Sequence, residues 1–291
     1  MRYNMEIKNV GVVGCGIMGS GIAQVCAQSG YNVIISEISD EVLNKGLKSI
    51  DAILTRSVDK GRISPQDKES ILARIEGTTN MDDFSGCDLV IEAATEDLDI
   101  KKAIFTRLDK ICPKHTILAT NTSVLSVSDM AAATGRPDQV LGMHFSNPVP
   151  VMKILEMMKT IATSESTIEI GKQFCESVGK TVVITKDLPG FISGRIFTPF
   201  ILNAIRLVEA DIAKPEDIDT LFRLGAGHPM GPLETLDLVG IDTVFHAANA
   251  IYDELKDPQY LPPQLMKKMV TMGWLGRKTG KGFYTYPEKN S

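Results

Sequence analysis

The sequence predicts a doubly wound α/β domain on a parallel sheet, followed by an all-helical domain, and three observations support this. Residues 8–37, KNVGVVGCGIMGSGIAQVCAQSGYNVIISE, read as strand, glycine turn, helix and strand. Short apolar runs (CDLVIEAA, TILAT, QVLGMHF, VMKILEMM and TVVITK) then recur between stretches of helical period such as KKAIFTRLDKI. After KDLPGF at 186–191 the apolar spacing is helical almost throughout, as in RIFTPFILNAIRLVEA and EDIDTLFRLG.

Taken in order, VGVV is a strand, GCGIMG the turn, SGIAQVCAQSG a helix closed by Gly30, and YNVIIS a second strand. So short a βαβ unit makes a parallel, right-handed crossover. From about 41 to 76 the period is helical, in two helices broken at Gly61 and Pro65, an insertion before the strands resume. The expected domains are 1–186, a dinucleotide-binding α/β domain, and 187–291, a helical domain.

A chain of 291 residues is long enough for two cores. Hydrophobic content of 43% and charged content of 23% are those of an ordinary globular protein. A net charge of −5 gives no global basic field to recruit nucleic acid or an acidic membrane surface, so an anionic ligand needs a local arrangement. The five cysteines (Cys15, Cys26, Cys87, Cys112 and Cys175) have neither disulfide-framework nor zinc spacing, which points to free thiols in a reducing compartment and no metal. The start, MRYNMEIKNVGVVG, has no apolar signal region, and no uncharged run approaches the ~18 residues of a membrane span. A cytoplasmic protein is expected.

Gly14-Cys15-Gly16-Ile17-Met18-Gly19 is a G-x-G-x-x-G between a strand and a helix, the context that makes this pattern specific for a Rossmann-type dinucleotide site. Gly14 permits the tight turn, Gly16 the approach of a pyrophosphate, and Gly19 close packing of helix on strand. The helix start at Ile17 and Met18 supplies N–H groups and a positive dipole end. Glu37 ends the second strand, where a carboxylate accepts hydrogen bonds from the adenosine ribose. It would oppose a 2′-phosphate, so NAD is expected rather than NADP.

Ligands of such sheets bind beyond the carboxyl ends of the strands. Ser123 follows TILAT and His144 nearly ends QVLGMHF, so both are expected on the glycine-turn edge. Glu156 lies on an apolar face of VMKILEMM and needs a partner, for which the imidazole is the obvious choice. Oxidation of a secondary alcohol by a nicotinamide needs a base for the hydroxyl proton. A histidine steadied by a carboxylate suits that role, with Ser123 on the reacting oxygen.

Together GVVGCGIMGSGIA, IEAATEDLDIKK, ATNTSVLSV, HFSNPVPVMKILE, KDLPGF, GAGHPMGPLETLDLVGIDT and GWLGRKTGKGFYTY resemble the 3-hydroxyacyl-CoA dehydrogenases over nearly the whole chain. The resemblance implies that His144 is the general acid/base, Glu156 its partner and Ser123 the group orienting the substrate oxygen. It implies cofactor contacts from Glu37, Ala93, Ala94, Glu96, Lys101 and Asn121, an acyl-CoA substrate met by Ser123, Asn147 and residue 194, and a homodimer through the helical domain. In the family the helical insertion meets the nucleotide portion of coenzyme A, which singles out Arg56, Lys60 and Arg62. Two positions depart from the family: Ser146 in HFSNP, and Gly194 in GFISGR where an asparagine is usual. Two rivals stay open, a dehydrogenase of a free hydroxy acid on the same fold and a homologue that binds ligand without useful turnover. His228, His246 and Trp274 read as structural.

Overall fold

The computed structural model describes residues 6–287. Two compact units divide the chain, Met1–Asp187 and Leu188–Ser291.

In the first unit β1 (Asn9–Val13), α1 (Ile17–Gln28) and β2 (Asn32–Ser36) form the expected βαβ unit. Next come α2 (Asp40–Asp59) and α3 (Pro65–Leu72), the latter opened by a capping box between Ser64 and Asp67. β3 (Ile75–Thr78), β4 (Leu89–Glu92), α4 (Leu98–Ile111), β5 (Ile117–Thr120), α5 (Val127–Ala132) and β6 (Val140–Phe145) follow. The unit closes with β7 (Ile154–Lys159), α6 (Glu165–Ser177) and β8 (Thr181–Lys186). The eight strands lie in the order β3-β2-β1-β4-β5-β6-β7-β8, so the chain reverses direction across the sheet between β1 and β4. That switch point is where doubly wound sheets open a ligand crevice. Val10, Val12, Ile22, Ile35, Leu89, Ile91 and Met143 belong to one continuous buried core.

Two details depart from the sequence expectation. The sheet is not wholly parallel, because β7 runs antiparallel to β6. The connection between them, residues 146–153, is shorter than the dozen or more residues of a parallel crossover. The helical insertion also ends earlier than expected, since residues 75–78 pair with β2 as an edge strand.

The second unit contains α7 (Ser193–Glu209), α8 (Pro215–Gly225), α9 (Pro232–Val239), α10 (Ile241–Leu255) and α11 (Gln264–Thr271). They enclose a core of their own that includes Ile201, Leu202, Ile205, Leu233, Leu236 and Met266. Among the described residues, no helix is long and apolar enough to cross a membrane.

Candidate active site

The glycine turn joins β1 to α1. Gly14 has φ +99°, a left-handed conformation that side chains disfavour, and a Cβ there would lie 2.6 Å from the Ala93 carbonyl oxygen. A Cβ on Gly19 would fall 1.8 Å from the carbonyl oxygen of Gly14, which as backbone cannot yield. At Gly16 nothing lies within 4 Å, so the turn is open on that side. α1 has no side-chain cap, and its first-turn N–H groups at Ile17, Met18 and Gly19 lack intrahelical acceptors. An open glycine face over an uncapped helix start fits a diphosphate.

Glu37 follows β2 and reaches back to this turn. Its Oε1 accepts from the Cys15 N–H at 2.7 Å and its Oε2 from the Ile38 N–H at 3.0 Å. A carboxylate has about four acceptor positions, so capacity for a ribose diol remains. The Cys15 thiol is buried against Ser20 and the Leu43 carbonyl, and desolvation raises its pKa. It packs the turn and is no nucleophile.

Ser123, His144 and Glu156 come together on the carboxyl-end edge of β5 and β6. His144 and Glu156 are directly opposed in the β6–β7 ladder, and Nδ1 of the imidazole lies 3.2 Å from Glu156 Oε2. Its Nε2 lies 3.2 Å from Ser123 Oγ. The imidazole is thus bridged on both nitrogens. Ser123 is exposed, His144 partly so, and Glu156 is buried, with 8% exposure. The Asn121 side-chain Oδ1 accepts from the Phe145 N–H at 2.9 Å and ties the ends of β5 and β6.

Glu96 steadies Ser123 from behind. Its Oε1 accepts from the Ser123 N–H at 2.8 Å, from the Val124 N–H at 3.3 Å and from the Thr122 hydroxyl. Lys101 lies deeper than a ligand contact suggests. It is 1% exposed, and its ammonium meets Glu92 at 2.7 and 2.9 Å and Glu96 at 3.4 Å. Glu92, fully buried at the end of β4, went unassigned in the sequence. The available signal was an acid closing the apolar run LVIE.

The remaining candidates lie on other segments. Asn147 is exposed on the turn after β6. Arg56 and Lys60 are exposed at the far end of α2, with Arg56 ~24 Å along the helix axis from Asp40. Gly194 belongs to the second unit, in the first turn of α7, where a Cβ would meet Ile251 Cδ1 at 3.8 Å. His228 packs against Phe200 and Phe222 in that unit, as a structural histidine does. Among the described residues, no cluster of His, Cys, Asp or Glu could hold a metal ion.

An open glycine turn with an acid at the β2 end, and a histidine paired with a carboxylate on the same sheet edge, are the features of an NAD-linked dehydrogenase of the doubly wound class. Residues 9–188 match the profile of the 3-hydroxyacyl-CoA dehydrogenase NAD binding domain, and residues 190–286 match its C-terminal domain. The chain therefore belongs to the 3-hydroxyacyl-CoA dehydrogenase family. It is 44% identical to a probable 3-hydroxybutyryl-CoA dehydrogenase of Bacillus subtilis, covering 99% of this chain and 100% of that one. It is 42% identical to the mitochondrial hydroxyacyl-coenzyme A dehydrogenase of Rattus norvegicus, over 96% and 91% of the two chains. The crystal structure of (S)-3-hydroxybutyryl-CoA dehydrogenase from Ralstonia eutropha is similar at a TM-score of 0.94 and 43% identity, covering 97% of this chain and 100% of that one.

Proposed function

We propose that the chain interconverts a short (S)-3-hydroxyacyl-CoA, with 3-hydroxybutyryl-CoA as the reference substrate, and the matching 3-ketoacyl-CoA. The observation that carries this reading is the Ser123–His144–Glu156 chain, with 3.2 Å on each side of the imidazole. In the oxidative direction His144 Nε2 takes the hydroxyl proton while Ser123 Oγ hydrogen-bonds the same oxygen. Nδ1–H donates to Glu156, whose carboxylate fixes the tautomer and stabilises the imidazolium. NAD, when bound, supplies the hydride acceptor. The glycine turn and the first turn of α1 hold its diphosphate, Glu37 its adenosine ribose, and Ala93, Ala94, Glu96, Asn121 and Lys101 form or support the wall nearer the reacting carbon.

On this reading Arg56 and Lys60 meet phosphates of coenzyme A, the local cations that a chain of net charge −5 needs for such a ligand. Asn147 and residue 194 complete the substrate contacts. The unit Leu188–Ser291 is the homodimer contact, a reading supported by the exposure of Ile196 (69%), Ile212 (69%), Leu221 (67%) and Leu224 (83%). A monomer in light scattering at micromolar concentration would count against it. Five free, buried thiols suit the reducing cytoplasm.

The deciding experiment is steady-state reduction of acetoacetyl-CoA by NADH with the purified protein. Turnover of free acetoacetate in preference to its CoA thioester would replace this reading with a free-acid dehydrogenase. NADH binding without turnover of either would leave a ligand-binding homologue.

A further inference from the structure

Three residues assigned above to the cofactor wall, Ala94, Lys101 and Asn121, converge on one that has no assigned role. Glu92 Oε1 accepts from the Ala94 N–H at 2.7 Å, and its Oε2 accepts from Thr120 Oγ1 at 2.7 Å. Both oxygens take the Lys101 ammonium, and the Glu92 main-chain carbonyl accepts from the Asn121 N–H at 2.7 Å. Neither charged partner is more than 1% exposed. A buried ion pair is poor evidence of a stability role, because well-packed apolar residues often serve as well. What distinguishes this pair is what lies beyond it. Lys101 also faces Glu96 at 3.4 Å, and Glu96 holds the N–H groups of Ser123 and Val124.

We infer that Glu92 is a positioning residue of the dehydrogenase reaction, holding Ser123 in place through Lys101 and Glu96. The inference rests on the proposed role of Ser123. With Glu92 ionised, the Lys101 ammonium is anchored on the β4 side, and Glu96 keeps Oε1 for the segment after β5. With Glu92 neutral, the buried ammonium has Glu96 as its remaining carboxylate. Freed from its β4 anchor, it no longer fixes Glu96 Oε2 in the place that sets Oε1 on the Ser123 N–H, and Ser123 Oγ loses its fixed distance to His144.

Two variants test this, E92Q and the double variant E92Q/K101M, which carries no lone buried charge. The measurements are melting temperature, kcat and KM for acetoacetyl-CoA, and amide hydrogen exchange of residues 121–125. In E92Q, exchange at 121–125 should quicken by about tenfold or more while β1 and β2 stay protected. kcat should fall by about tenfold or more with KM nearly unchanged, the split expected when an interaction specific to the transition state is lost. The double variant should melt near the unaltered protein and still show fast exchange and low kcat, because neutralising the pair does not restore the pull on Glu96. Should E92Q fail to fold, the double variant carries the test alone. Native-like exchange and kcat in a folded E92Q would overturn the inference, as would a double variant that regains both along with its melting temperature. Exchange is read without substrate. Absence of turnover in the unaltered protein would therefore defeat the functional reading and leave the link from Glu92 to Ser123 to be judged on exchange.

Discussion

Replacing Glu37 by glutamine tests cofactor choice with little disturbance of the fold. The carboxamide keeps an acceptor for the Cys15 N–H, now held at 2.7 Å, so the glycine turn persists. It loses the charge and the second acceptor that now takes the Ile38 N–H at 3.0 Å. A 2′-phosphate on the ribose would lie on the order of 5 Å from this carboxylate, where two unit charges at an effective dielectric near 40 repel by roughly 1.7 kcal/mol. Such a phosphate carries more than one charge at neutral pH, but Glu37 is only half-buried and salt screens it, so we keep the unit figure. That corresponds to about a twentyfold preference for NADH, lost on substitution. The assay is kcat/KM for acetoacetyl-CoA reduction with NADH and with NADPH, backed by Kd values from nicotinamide fluorescence. The NADH preference of the unaltered protein should shrink about twentyfold in E37Q, and less at high salt. Equal use of both cofactors by the unaltered protein, or an E37Q ratio that does not move, would refute the argument.

Four further outcomes are expected. His144→Ala should lose ~10²- to 10⁴-fold in kcat with NADH affinity intact, and near-normal turnover would remove the histidine from the chemistry. Glu156→Gln should slow kcat by about 10- to 150-fold, the equivalent of one hydrogen bond to a charged group, and an unchanged rate would leave Glu156 a packing residue. Gly194→Asn should be accommodated, since a Cβ meets Ile251 Cδ1 at an ordinary 3.8 Å. By the family resemblance it should raise kcat/KM for acetoacetyl-CoA by up to about tenfold. A fall for every acyl chain length would show that the backbone at 194 requires glycine. The thiols should resist a disulfide reagent at neutral pH in the native protein and all react after denaturation, because burial pushes Cys26 up to about 12 and raises Cys175 as well. Fast labelling of the native chain would contradict the buried state of all five cysteines.

The sequence revealed the features that local physics determines. The strand–turn–helix of residues 9–28 shows in its pattern because glycine spacing, apolar runs and the helix start all lie within a few residues of one another. β3 does not show: IEGT has a single large apolar side chain and follows a helical run, and it becomes a strand only by pairing with β2. The direction of β7 is likewise invisible in its own residues, since alternating side chains read the same in either direction. Only the short connection 146–153 carries that information.

The catalytic candidates and their support differ in the same way. His144 and Glu156 were legible as a pair because an acid within an apolar strand demands a partner, and the antiparallel register then sets them face to face. Glu92 and Lys101 were harder, because each alone looks like an ordinary surface charge. Yet the pattern held a clue. The buried stripe of α4 is Lys101, Phe105 and Leu108, spaced i, i+4, i+7, so the lysine occupies a position where helix period calls for an apolar side chain. The strand LVIE is buried at all four residues, so its terminal acid is also inside. A lysine on an apolar helix stripe and an acid ending a fully apolar strand, nine residues apart in a βα unit, each need an opposite charge. In the structure they meet, and Glu96 at the same lysine connects the pair to the backbone of Ser123.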